Sequence, residues 1–144
     1  METLPILQGL TNDQFDKLLD ICTKRTVSRN TVIYEEGEPS RDMFILTEGV
    51  LQVSLWGKEI GRIFPISPVG EMGLFTNEGR SADVTSRTQC TLLRITHEDL
   101  FDLFEKDKDL HIRFQRGMIT ELAQKLRGAN ELLAKQRSKL DKGR

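Results

Sequence analysis

A chain of 144 residues has room for one compact domain with a buried core. Hydrophobic residues make up 38% and charged residues 30%, the balance of a soluble globular protein. The formal charge of −1 excludes a general pull toward nucleic acid or acidic membranes. No apolar run approaches the roughly 18–20 residues that cross a bilayer. Met1-Glu2-Thr3-Leu4-Pro5 has neither the positive start nor the apolar block of a secretion signal, so a cytoplasmic location is expected.

The first expected element is a helix. Thr11-Asn12-Asp13-Gln14 has the form of a capping box, and Phe15, Leu18, Leu19 and Cys22 follow on one helical face. This helix should end before Thr26-Val27. From Thr26 to Ile95 the period changes to two. Strands are expected at 31–34, 43–46, 50–55, 58–64, 82–84 and 91–95, separated by turn signals such as Glu36-Gly37-Glu38-Pro39 and Glu48-Gly49. Gly57-Lys58 suits a two-residue hairpin whose first central position takes positive φ. Many short strands at this spacing argue for a β-sandwich or barrel. Cys22 and Cys90 have no metal or redox spacing and read as small buried hydrophobes.

After Ile95, Thr96-His97-Glu98-Asp99 looks like another cap, leading into Leu100, Phe101, Leu103 and Phe104. A long helix is expected from about Asp109 to the late 130s. Within it Ile119, Leu122, Leu126, Ala129, Leu133 and Leu140 fall on alternating steps of three and four, broken by Gln136. That is a heptad seam, and it predicts a parallel homodimer through residues 119–140; the alternative is one face packed on the chain's own barrel. Gly117 and Gly128 interrupt this helix, Gly128 as a hinge or as a point of close helix contact. The basic end (Lys135, Arg137, Lys139, Lys142, Arg144) reads as a solvated helix terminus.

The stretch GEMGLFTNEGRSA, Gly70 to Ala82, carries the chemistry. Gly70 and Gly73 let the backbone approach a ligand, and Leu74-Phe75 can complete one helical turn with outward N–H groups. Arg80 supplies a permanent charge with a fork of donors suited to phosphate oxygens, and Ser81 adds a hydroxyl. Glu71 offers acceptors to sugar hydroxyls. Phosphate plus ribose is the ligand these groups describe. The alternative is a surface turn with a Glu71–Arg80 ion pair.

Val69-Gly70-Glu71-Met72-Gly73-Leu74 followed by Arg80-Ser81-Ala82 resembles the phosphate-binding cassette of the cyclic nucleotide-binding domain. This is the family of the bacterial catabolite activator, cyclic-nucleotide-dependent kinases and cyclic-nucleotide-gated channels. The glycine-punctuated strands 32–38 and 43–53 are similar too, and the likeness spans about residues 4 to 135. It implies a mainly β fold with flanking helices, a double-stranded β-helix (jelly-roll) barrel. Residues 1–108 would form the barrel with its N-terminal helix, and residues 109–144 the lid and dimerisation helix and basic tail of the same domain. It further implies that Arg80, Ser81 and backbone N–H groups around Gly73-Leu74 and Ala82 hold the cyclic phosphate, and that Glu71 accepts from the ribose 2′-hydroxyl. Val53, Ile60 and Ile63 would wall the base. By a gapless count the lid contacts fall near Lys125, Leu126 and Arg127. Two departures stand out: Ile66-Ser67-Pro68 replaces the usual Gly-Asp-Phe turn, and Val69 a larger residue.

The resemblance implies a stand-alone cyclic-nucleotide receptor, with Arg-Ser-Ala pointing to cAMP ahead of cGMP, and a separate downstream protein as reader. A non-binding dimeric scaffold and a cyclic-dinucleotide receptor are the alternatives. No recognition-helix pair follows the lid helix within these residues, so sequence-specific DNA binding of the catabolite-activator type is not expected. The two histidines, His97 and His111, sit in helical parts and predict no metal site, and no nucleophile–base pair predicts catalysis.

Overall fold

The computed structural model describes residues 5–142; Met1 to Leu4 and the Arg144 end of the basic tail lie outside them. The chain begins with α1 (Pro5–Gln8) and α2 (Asn12–Asp20). The expected capping box is present: Gln14 N donates to Thr11 Oγ1 at 3.2 Å, and Thr11 N donates to Gln14 Oε1 at 3.0 Å. Two orphan donors of the first turn are thereby satisfied.

Eight strands follow: β1 (Thr23–Val27), β2 (Val32–Tyr34), β3 (Asp42–Glu48), β4 (Leu51–Leu55), β5 (Lys58–Ile63), β6 (Ser67–Val69), β7 (Asp83–Ser86) and β8 (Cys90–Thr96), with the single turn α3 (Gly73–Thr76) between β6 and β7. They form two four-stranded antiparallel sheets, ordered β1-β8-β3-β6 and β2-β7-β4-β5. This is the expected jelly-roll sandwich. Then α4 (His97–Lys106) and α5 (Lys108–Lys142) close the chain. Asp99 N donates to Thr96 Oγ1 at 3.1 Å, the second expected cap.

β3 explains how the layers are joined. Phe44 and Leu46 point between the sheets, where they meet Val27, Leu51, Val84 and Leu92. Met43 and Ile45 point the other way, into a core with Leu18, Leu100, Phe104, Leu110 and Phe114 from the helices. A strand buried on both faces must read as an unbroken apolar run, and Met43-Phe44-Ile45-Leu46 does. Cys90 is fully buried in the sandwich core, whereas Cys22 is only partly buried at the helix side. Its thiol donates to Leu18 O at 3.3 Å, and burial pushes its pKa up to about 11.

Three local features differ from the sequence reading. α2 stops at Asp20, and the exposed Thr23-Lys24-Arg25-Thr26 becomes β1, paired with β8 over five residues. The strand β6 contains Pro68 opposite Ile45, at a sheet edge where a missing N–H breaks no ladder. The β4–β5 turn is one residue earlier than expected. Leu55 pairs with Lys58, which leaves Trp56 (φ 52°) and Gly57 (φ 80°) as the loop. Both central positions take positive φ, as a type I′ hairpin requires.

Among the described residues no helix is long and apolar enough to cross a membrane. α5 has 35 residues and is about 52 Å long at 1.5 Å per residue. Its first half packs on the barrel through Leu110, Phe114 and Met118, while every described side chain from Gln124 to Asp141 is exposed.

Candidate functional site

The segment after β6 turns sharply at Gly70, whose φ is 76°. A Cβ there would run into the Arg80 guanidinium and sit 3.3 Å from the Tyr34 ring, so only glycine fits. Glu71 follows, buried, and then the short α3. A Cβ on Gly73 would overlap the side chain of Ser40. The chain returns through Asn77 (φ 62°) and Gly79 to Arg80. Two backbone bonds stitch this return to the β2–β3 loop: Gly37 N donates to Arg80 O and Arg80 N to Glu38 O, each at 2.8 Å.

Arg80 is 6% exposed. One face of its guanidinium lies over the Tyr34 ring, 4.1 Å from the centroid. Its Nη2 donates to Asp42 Oδ1 at 2.5 Å and to Asp42 O at 2.8 Å, and its Nη1 to Gly70 O at 3.1 Å. The other Asp42 oxygen accepts from Arg94 Nε at 2.6 Å. Arg80 Nε and Ser40 Oγ are buried without a hydrogen-bond partner. Two unsatisfied donors beside one cavity are costly unless an acceptor arrives.

Glu71 is 4% exposed. Its Oε1 accepts from Lys125 Nζ of α5 at 2.9 Å, and the same ammonium lies 3.3 Å from Glu121 Oε1. Glu71 and Arg80 are therefore not each other's partners, and the surface turn held by a Glu71–Arg80 ion pair does not describe them. Burial, then the Glu71 charge, raises the Glu121 carboxyl above its ordinary range. Burial pulls the Lys125 ammonium down, but Glu71 and Glu121 outweigh that and leave its pKa raised. Burial pushes the Tyr34 phenol up to about 12, partly offset by the Arg80 charge.

These groups surround a cavity of about 250 Å³. Of the residues singled out in the sequence, Gly70, Glu71, Met72, Gly73, Arg80, Ser81 and Ile63 line it, as does Lys125. Leu74 and Ala82 are buried. The Leu74 N–H is directed at Glu71 O, 3.3 Å away. Val53 packs against the sandwich core, and Ile60 is 59% exposed. Leu126 and Arg127 are exposed; at 100° per residue, a helix that turns Lys125 inward turns its successors away.

Sequence reasoning missed Tyr34, Ser40, Asp42 and Glu121. Asp42 carried a signal, a carboxylate heading a strand otherwise buried on both faces. Tyr34, Ser40 and Glu121 carried none that separates them from ordinary surface positions. Among the described residues no group of three or more His, Cys, Asp or Glu side chains could hold a metal ion.

Residues 24–107 match the family described as the cyclic nucleotide-binding domain. Among curated proteins, Glutaminase 1 of Bradyrhizobium diazoefficiens is 32% identical over 123 residues, covering 85% of this chain and 19% of that protein. The cAMP-activated global transcriptional regulator Vfr of Pseudomonas aeruginosa is 26% identical over 126 residues, covering 81% of this chain and 59% of that protein. The chain spans only about a fifth of the length of the first curated relatives it matches. Among solved structures, the N-terminal domain of a transcriptional regulator from Streptomyces coelicolor superimposes with a TM-score of 0.75 at 23% identity, covering 92% of this chain and 93% of that one. The catabolite activator protein of Thermus thermophilus gives 0.75 at 21% identity, covering 90% and 62%. With more than half its length matched and the cassette folded around a lined cavity, this chain belongs to the cyclic nucleotide-binding domain family.

Proposed function

We propose that this protein is a cyclic-nucleotide receptor whose first ligand is cAMP, held by Arg80 at the cyclic phosphate and by Glu71 at the ribose 2′-hydroxyl. The observation that carries this reading is Arg80 itself. A buried guanidinium with an unpartnered Nε lines a small cavity together with the buried carboxylate of Glu71. A cyclic phosphate supplies the missing acceptor, and Ser81 in the same wall adds a hydroxyl donor. The Arg-Ser-Ala ending is the support for cAMP over cGMP. Val53 and Ile60 contribute to the base wall only if the β4–β5 hairpin moves toward the cavity, and Ile63 needs no such movement.

Ligand capture signals through α5. The helix presents Ile112, Ile119, Leu126, Leu133 and Leu140 at steps of seven along one side, 51–72% exposed. An isolated helix of this kind is marginal in water, and a second copy packing along the seam is what stabilises it. The receptor is thus a parallel homodimer through residues 119–140, in which a shift of α5 against the barrel is read by a separate protein. It acts by binding and not by catalysis.

Calorimetric titration of the full chain with cAMP, cGMP and cyclic di-GMP, beside Arg80→Lys and Glu71→Gln, tests the site. Micromolar binding of one nucleotide, lost or weakened at least tenfold in both variants, is the expected result. A second reading has one observation in its favour: Arg80 and Glu71 already have internal partners, Asp42 and Lys125. A folded dimer that takes up no nucleotide at millimolar concentration establishes the scaffold instead.

A further inference from the structure

The receptor reading leaves Lys125 unexplained. It brings α5 into the cavity wall, and its ammonium lies 2.9 Å from Oε1 of Glu71, the carboxylate that the receptor reading gives to a sugar hydroxyl. The same ammonium is 3.3 Å from Glu121, one helical turn earlier. Among the described residues this is the last ion pair along α5 that reaches the barrel. Every described side chain beyond it is exposed.

Two consequences follow from ordinary chemistry. First, a sugar hydroxyl is a neutral donor, and where it takes Glu71 Oε1 it competes with a charged one, whose hydrogen bond to a carboxylate is the stronger. Second, Lys125 has somewhere to go. Glu121 lies on its own helix, so an ammonium that leaves Glu71 stays paired, and α5 needs no local unfolding to release it. The contact therefore has two discrete arrangements: Lys125 bridging helix and barrel, or Lys125 paired within the helix.

We propose that Lys125 is a latch: in the ligand-free protein it occupies Glu71 and ties α5 to the barrel, and a hydroxyl-bearing ligand competes with it for that carboxylate. This rests on the receptor reading for the identity of the competitor, but not for the tie itself. Lys125 then sets the affinity of the site, because only the unlatched fraction is ready to bind. A latch closed in about nine molecules of ten weakens the apparent affinity about tenfold.

The test is titration of the full chain with cAMP and with cGMP in the wild type, Lys125→Met and Lys125→Arg. Amide hydrogen exchange of residues 121–128 is followed in the ligand-free proteins. Lys125→Met keeps the apolar stem and removes the charge; it is expected to bind about tenfold tighter and to exchange faster along 121–128. Lys125→Arg, which keeps the bridge, stays near the wild type in both. With the barrel amides still protected, unchanged binding by Lys125→Met overturns the latch, and weaker binding overturns it and makes Lys125 a ligand contact. Binding by Lys125→Met where the wild type shows none supports the latch in its strongest form. No binding by any of the three overturns the receptor reading, and the exchange data then decide the tie alone. Faster exchange in Lys125→Met supports it, and unchanged exchange overturns it.

Discussion

Asp42 is the residue on which the site is built. Its side chain, 16% exposed, takes Arg80 on one oxygen and Arg94 on the other, while its backbone carbonyl takes Arg80 again. Asp42→Ala leaves the Arg80 cation buried without its counter-charge. A loss of about 3–5 kcal/mol is expected by urea denaturation. Arg94→Ala removes a partner that is 39% exposed and should cost at most about 1 kcal/mol. Glu121 gives a pH prediction of definite sign. Its folded pKa lies above the ordinary 4.5, so the folded state holds the proton more tightly than the unfolded one. Its contribution is fully present below pH 4.5 and is lost as pH rises through the folded value. Glu121→Gln should therefore match the wild type in acid and exceed it in thermal stability at pH 7. The cassette's own residues were legible because glycines, a carboxylate and an arginine in thirteen positions are chemically conspicuous. Their partners were less so: Lys125 was reached only through the family resemblance, and Asp42 was not singled out. Asp42 lies 38 positions from Arg80, and Lys125 lies 54 from Glu71. Nothing local in a sequence marks charges that meet only after the sheets close.

At the scale of elements, legibility followed burial. β3 shows both of its faces to apolar cores and was read directly, as was the capped start of α2. β1 is exposed along four of its five residues and has no hydrophobic alternation to detect; pairing with β8 makes it a strand. β6 is three residues long and contains a proline. The seam of α5 was legible by its period, and the structure adds that every described side chain beyond Lys125 is exposed. Gly128 is the sharpest test within this helix. A Cβ there meets no atom within 4 Å, so nothing inside the chain demands glycine. Gly128→Ala should raise helix stability by about 0.5–1 kcal/mol, seen as a higher melting temperature. If the residue serves as a hinge, the same variant also uncouples nucleotide binding from exchange of the outer helix. If it serves as a contact point between two copies, dimerisation weakens.

The whole molecule divides into a barrel with its helical cap, which holds two apolar cores, and a projecting rod, which holds none. Removing residues 129–144 should leave the melting of the barrel within a few degrees of the full chain. It should abolish any dimer, as should Leu126→Asp with Leu133→Asp; sedimentation velocity reads both. An assembly unaffected by these changes rules out the seam. The outer face of the barrel offers a further use. Trp56, the sole tryptophan of the chain, stands 87% exposed at the tip of the β4–β5 turn, outside the cavity lining. Its fluorescence therefore comes from one place and begins as the red-edged emission of an indole in water. Anything that settles over that tip shifts the emission to the blue, while occupancy of the cavity that leaves the hairpin in place does not. The chain carries a label-free optical probe of its outer surface, and one cuvette separates filling of the interior from docking on the outside.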